Sequence, residues 1–404
     1  MFQHLRILTS PLALFSAFVQ LIEMNLRTSR DVVFIASPVD VQTPLGKRYF
    51  PDKLEGVIKV VEDHELSVLY AFHLFSIKRK FERSSDFKRL EILIPLIIIS
   101  HPITIIKNYK MIKEVYVIRQ FNSLKQKIRA SLWVSLFLII KPKIIFGIGM
   151  DQVILTVCQR MRIETVEVMH GLFDSLNPPF SFRIEAETVK PGLFLSWHED
   201  FTEIIQKLGI SAVTIGYPNT LFQSFELPLA DSKGNKILVS LAWGDQSSID
   251  PNGIMTSLLY KHLKEIPSNS LRFRLHPVSC NSRKQISQNS RWLKKEFPGC
   301  SLVLPYNESL FKSLSTCSFH VSHESSTFFE ASLLGKKTVL LQSRQNFHMP
   351  VPDEIFEFNL LNFAANLPHT KPKEIHEINS SSRFMAPFKR IELEKILIAA
   401  NLIH

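Results

Sequence analysis

The chain has 404 residues, enough for two domains of ordinary size, and 45% of them are hydrophobic, which excludes wholesale disorder. Its formal net charge is +11, but the basic residues are scattered, and neither zinc-finger spacing nor an aromatic RNP-type strand occurs, which excludes nucleic acid as a partner. The four cysteines, Cys158, Cys280, Cys300 and Cys317, form no CxxC pair, so no zinc or redox motif is present and reduced cytoplasmic thiols are expected.

Short apolar runs alternate with longer amphipathic ones, the pattern of an α/β protein with parallel sheets. In the first half this predicts strands at 5–9, 31–37, 56–61, 143–149, 165–170, 192–197 and 212–216. Helices are predicted at 65–83, from about 104 to 140, at 152–161 and at 199–208. The apolar runs 12–22 and 130–140 are too short to span a bilayer, and 90–106 is broken by Pro95 and Pro102. Basic residues gather beside these runs, at Lys78, Arg79, Lys80, Arg83, Lys88 and Arg89 and again at Lys107, Lys110, Lys113, Arg119, Lys125, Lys127 and Arg129. That pairing suits peripheral contact with an anionic inner-membrane surface.

Residues 219–235 carry proline, glycine and polar residues without period and read as a linker. Beyond it, strands are predicted at 236–242, 271–275, 301–304, 319–322 and 337–341. Helices fall between them at 253–265, 283–297, 308–315 and 326–334. The expected organisation is an N-terminal lobe over 1–218, a second lobe over 236–387, and a final helix within 388–404 that crosses back onto the first lobe. In open α/β sheets ligands sit beyond the carboxyl ends of the strands, so motifs at strand ends in both halves are expected to face one central cleft.

Four motifs stand at such ends. Ser322-His323-Glu324-Ser325-Ser326-Thr327 closes a strand with a hydroxyl-rich turn. Ser325, Ser326 and Thr327 suit an anion at the start of the next helix, and Glu330, one turn inside, suits a ribose hydroxyl. Arg272-Phe273-Arg274-Leu275-His276-Pro277 is an alternating strand that delivers His276 to its end. Pro277 fixes the chain's exit there, and the histidine can donate to a phosphate oxygen, with Arg274 beside it as a further donor contact. In the first half, Glu167-Val168-Met169-His170-Gly171 closes a strand. Glu167 is the candidate general base there, His170 at the tip is a candidate catalytic residue that binds substrate, and Gly171 is a candidate for the acceptor. In Ser240-Leu241-Ala242-Trp243-Gly244-Asp245, Gly244 permits close approach of a ligand and Asp245 is the candidate nucleophile or base. The turn of Gly147, Ile148, Gly149 and Asp151 looks glycine-rich but lacks a third glycine, and reads as tight strand–helix packing.

These motifs, in this order, resemble those of bacterial GT-B glycosyltransferases that build capsule, O-antigen and lipopolysaccharide. His276-Pro277 and Ser325-Ser326-Thr327 match the His-Pro and Ser-Ser/Thr motifs with which the sialyl-, Kdo- and glycerophosphate-transferring members hold a cytidine-nucleotide donor, and His170-Gly171 matches a first-lobe pair. The resemblance implies two Rossmann-like lobes and transfer of Kdo or a related acidic sugar from a CMP donor to a glycan or glycolipid acceptor. It implies no cofactor beyond the donor, and the lack of an Asp-x-Asp motif agrees with metal-independent chemistry. The sialyltransferases place an acidic pair before a glycine, whereas Val168, Met169 and His170 separate Glu167 from Gly171 here. Sialyl transfer, UDP-hexosyl transfer, CDP-glycerol glycerophosphate transfer, nucleotide-sugar 2-epimerisation and an inactive glycan-binding module therefore stay open as alternatives.

Overall fold

The computed structural model describes residues 30–36, 41–45, 48–51, 53–72, 123–171, 189–219, 236–241, 253–255, 257–280, 282–323, 327–334, 336–341 and 388–403. The predicted strand at 5–9, the linker from 220 onward and most of the basic clusters lie outside them.

The first lobe is built on a parallel sheet. Its strands are β1 (Val32–Ala36), β4 (Val68–Phe72), β5 (Ile144–Gly147), β6 (Glu164–Val168), β7 (Leu193–Ser196) and β8 (Ala212–Thr214), in the order β4-β1-β5-β6-β7-β8. An antiparallel hairpin, β2 (Val41–Leu45) and β3 (Arg48–Pro51), follows β1 and was not expected. Every residue of β1 is fully buried, because helices cover both faces of a parallel sheet. Val33 and Ile35 face one layer with Trp133 and Phe137 of helix α2 (Leu124–Ile140), Val157 of α3 (Gln152–Met161) and Phe201 of α4 (Glu199–Lys207). Val32, Phe34 and Ala36 face the other layer with Val57 and Val61 of α1 (Glu55–Asp63). Phe34 stacks on both in-register neighbours, Tyr70 at 5.6 Å and Phe146 at 5.4 Å.

Two elements reverse the sequence expectation. The run at 56–61, expected as a strand, lies in α1, and the region from 65 onward, expected as a helix, supplies strand β4. In α1 the charged residues Glu55, Lys59, Glu62 and Asp63 fall at helical spacing on one stripe, a period that the β-branched run between them hides. The long helix is described from Leu124, where a capping box of Ser123 and Gln126 starts it.

The second lobe holds β9 (Ile237–Ser240), α5 (Ser257–Leu263), β10 (Leu271–Arg274), α6 (Arg283–Glu296), β11 (Ser301–Val303), α7 (Leu310–Ser315), β12 (Phe319–His323), α8 (Thr327–Leu333) and β13 (Lys337–Leu341). These agree with the predicted pattern. The sheet is parallel in the order β11-β10-β9-β12-β13. Strand order therefore reverses between β9 and β12, the place where doubly wound sheets open a crevice. The last helix, α9 (Arg390–Ala399), lies on α1 of the first lobe. Leu393 and Leu397 are fully buried in the first-lobe core, and Arg390 reaches Asp63 at 2.5 Å. No helix among the described residues is long and apolar enough to cross a membrane.

Candidate functional site

At the carboxyl edge of the second sheet, β10, β9 and β12 are adjacent and end in register, Arg274 beside Ser240 and Ser240 beside Ser322. His276 leaves β10 at this edge, partly exposed, and Pro277 opens a tight turn in which the Ser279 N–H donates to the His276 carbonyl at 2.9 Å. Thr327, the first residue of α8, meets the Ser322 hydroxyl at 3.0 Å. The edge thus carries His276, beyond β10, and the Ser322 and Thr327 hydroxyls, at β12 and α8, on either side of β9. Ser325, Ser326, Gly244 and Asp245 belong to the segments 324–326 and 242–250, which lie outside the described residues.

Arg274 departs from its expected role. It is 5% exposed, and its guanidinium donates to the Glu308 carbonyl at 2.9 Å and the Ser313 hydroxyl at 2.8 Å. Arg272, two residues earlier on the same strand face, grips the Glu308 carboxylate with contacts of 2.7 and 2.6 Å. Both arginines hold the entry to α7, a structural task that an arginine in an alternating strand does not announce.

Beneath the edge lies a polar line that sequence reasoning missed. His320, fully buried in β12, bonds the Ser240 hydroxyl at 2.9 Å through Nε2 and the Thr338 hydroxyl at 2.8 Å through Nδ1. Burial alone pushes its pKa down from 6.5 to about 3, so the ring is neutral. One ring nitrogen then donates and the other accepts, which two hydroxyls can satisfy in either sense.

In the first lobe, Glu167 lies 1% exposed near the end of β6 and accepts from the backbone N–H of Gly149 at 2.6 Å and of Met150 at 3.1 Å. Gly149 has φ +64°, and Gly147 is packed so that a Cβ would lie 2.4 Å from Met150 Cγ. The glycine turn is filled by the protein's own carboxylate. Asp151 then caps α3 and pairs with Arg129. Glu167 was expected as a general base. Its burial and its two backbone bonds give it the part of a fastener for this turn. His170 and Gly171 sit beyond the last ladder bond of β6 and are partly exposed, and among the described residues no atom lies within 4 Å of a Cβ placed at Gly171.

The two carboxyl edges meet at Glu330. This residue of α8 is 1% exposed and bonds Lys53, just before α1, and the hydroxyl of Tyr217, just after β8. Lys53 Nζ also donates to the Tyr217 hydroxyl at 2.6 Å and lies over the Tyr217 and Trp197 rings, at 4.8 and 5.3 Å from their centroids. Both bonds to Glu330 use its Oε1, and the buried Oε2 has no hydrogen-bond partner among the described residues. Among the described residues no group of three His, Cys, Asp or Glu is placed to hold a metal ion.

No protein-family model matches the chain, and no curated protein matches it in sequence. Among solved structures it is similar to an S. aureus MnaA–UDP co-structure, with 12% identity, a TM-score of 0.55 and coverage of 93% of this chain and 98% of that one. It is also similar to a UDP-N-acetylglucosamine 2-epimerase, with 14% identity, a TM-score of 0.54 and coverage of 93% and 97%. A third likeness is to the Methanocaldococcus jannaschii UDP-GlcNAc 2-epimerase in complex with UDP-GlcNAc and UDP, with 12% identity, a TM-score of 0.50 and coverage of 91% and 99%. At such identities the likeness speaks for the fold, and the chain has the GT-B architecture of two Rossmann-like α/β lobes about a central cleft.

Proposed function

We propose that this chain is a nucleotide-sugar enzyme whose second lobe binds the nucleotide and whose first lobe presents the acceptor. The carrying observation is that His276 and the Ser322–Thr327 hydroxyl pair leave β10 and β12 at one sheet edge, where strand order reverses. In this reading His276 and the hydroxyls of Ser325, Ser326 and Thr327 hold phosphate oxygens, Pro277 fixes the exit from β10, and Glu330 takes a ribose hydroxyl. Gly244 lets the ligand approach the backbone, and Asp245 is the nucleophile or base. His170 and Gly171 receive the acceptor, while Glu167 keeps the first-lobe turn in shape. The first lobe is a poor nucleotide site because Glu167 already occupies its glycine turn.

Glycosyl transfer is the leading reaction, and the motif resemblance favours a CMP-linked Kdo or similar acid as donor in the making of a surface glycan. A cytoplasmic enzyme with peripheral contact to the inner membrane fits that task. Two of the solved structures named above contain UDP, one with UDP-GlcNAc, and two are UDP-GlcNAc 2-epimerases, which favours nucleotide-sugar 2-epimerisation as the second reading. A thermal-shift screen against CMP, CDP, UMP and UDP separates them, because a ligand at 100 times its Kd stabilises by about 2.7 kcal/mol. Selective stabilisation by CMP is the expected result. Selective stabilisation by UDP, with turnover of UDP-GlcNAc in the absence of any acceptor, replaces transfer by epimerisation. No response to any nucleotide overturns the proposal. Within it, Ser326→Ala weakens nucleotide binding with the fold intact, and Asp245→Asn abolishes turnover at unchanged nucleotide affinity.

A further inference from the structure

Glu330 is shared between the lobes, and this carries a consequence for the ligand. Its carboxylate belongs to the second lobe, yet both groups bonded to Oε1, the Lys53 ammonium and the Tyr217 hydroxyl, come from the first. A carboxylate serving only to staple two lobes would have donors on both oxygens, because a buried acceptor left unpaired costs free energy. Here Oε2 is buried and, among the described residues, unpaired. The arrangement is also rigid. Lys53 is fixed by the Tyr217 hydroxyl and by the faces of Tyr217 and Trp197, which themselves pack edge to face at 5.0 Å. Tyr217 and Trp197 are fully buried.

We propose that Lys53 and Tyr217 are positioning residues supplied by the first lobe to the second lobe's nucleotide site: by holding Oε1 of Glu330 they keep Oε2 set to accept from a ribose hydroxyl. The inference rests on the nucleotide reading above and adds to it that discrimination for an intact ribose is built jointly by both lobes. Neither lobe alone would select ribonucleotides, because the second lobe has the carboxylate and the first has what orients it.

The test is equilibrium binding of UDP and CMP, each against its 2′-deoxy counterpart, to the full chain and to Lys53→Met, Tyr217→Phe and Lys53→Arg. A hydrogen bond to a charged group corresponds to a ribonucleotide preference of about tenfold or more in the unsubstituted protein. Lys53→Met and Tyr217→Phe bring ribonucleotide affinity down to the deoxynucleotide level and leave deoxynucleotide affinity where it was. Lys53→Arg, which restores a cation, recovers most of the preference, and it answers the question by itself if Lys53→Met fails to fold by circular dichroism. A mere staple between lobes would lower both affinities in parallel. Parallel loss, a preference that survives the substitutions, or nucleotide binding with no ribose preference overturns this assignment alone. If the unsubstituted protein binds neither UDP nor CMP, the nucleotide reading falls and takes this assignment with it.

Discussion

The buried His320 gives the protein a titrating weak point. Its pKa of about 3 in the fold lies below the 6.5 of an exposed ring, so the unfolded chain binds the extra proton first. The associated stability is fully present above pH 6.5, and it is lost progressively as the pH falls from there toward 3. Urea unfolding between pH 7 and pH 4 should show this acid limb, and His320→Gln should flatten it while lowering stability at neutral pH. Glu167 offers a second test. Replacing it by glutamine sets an amide N–H₂ against the Gly149 or Met150 N–H, and should cost about 1–3 kcal/mol in the same assay. A Glu167→Gln protein of unchanged stability would return that carboxylate to the list of candidate bases. Legibility at this scale follows locality. The positions of His276 at a strand end and Thr327 at a helix start could be read because a strand end followed by a turn is a local pattern. The protein partners of Arg274 and Glu167 could not be read, because a charged side chain near a strand end serves a neighbouring loop as readily as a ligand. Lys53 and Tyr217 gave no sign, since Lys53 stands 277 positions from Glu330 and only folding joins them.

Element by element, the second lobe followed the sequence because each of its strands is short, apolar and bounded by turn residues. The failure at 55–72 has a physical cause. Gly56, Val57, Ile58, Val60 and Val61 combine β-branched residues with near-continuous burial, which reads as a strand, but β1 covers one side of α1 and α9 the other. Tertiary packing there overrides local propensity, and α9 lies more than 300 residues away. Gly56 marks how tightly the helix is seated. Its N–H donates to the Pro218 carbonyl at 2.5 Å, and a Cβ at this position would stand 2.6 Å from that same oxygen. Gly56→Ala should therefore destabilise by about 1–3 kcal/mol in a denaturant melt, since the opposing atom is backbone and cannot rotate away. An unchanged midpoint would mean that the Pro218 segment shifts freely.

At the level of the whole molecule, α9 completes a core that begins with β1. Truncation before residue 390 removes Leu393 and Leu397 from that core and breaks the Arg390–Asp63 and His64–Glu394 pairs. Hydrogen exchange on the truncated chain should show protection lost at 32–36 and 55–63 and kept at 237–240 and 319–323. Loss spread evenly over both sheets would mean that the lobes unfold as one unit. The position of α9 also sets an order of events on the ribosome. The second sheet, 237–341, is an insertion within the first lobe and emerges as one uninterrupted stretch. It can close while Phe34 and Val57 still wait for their cover. Domains made first usually fold first. Here the lobe begun first is finished last, and the interval in which its apolar layer offers a target to chaperones ends only when residues 390–399 arrive.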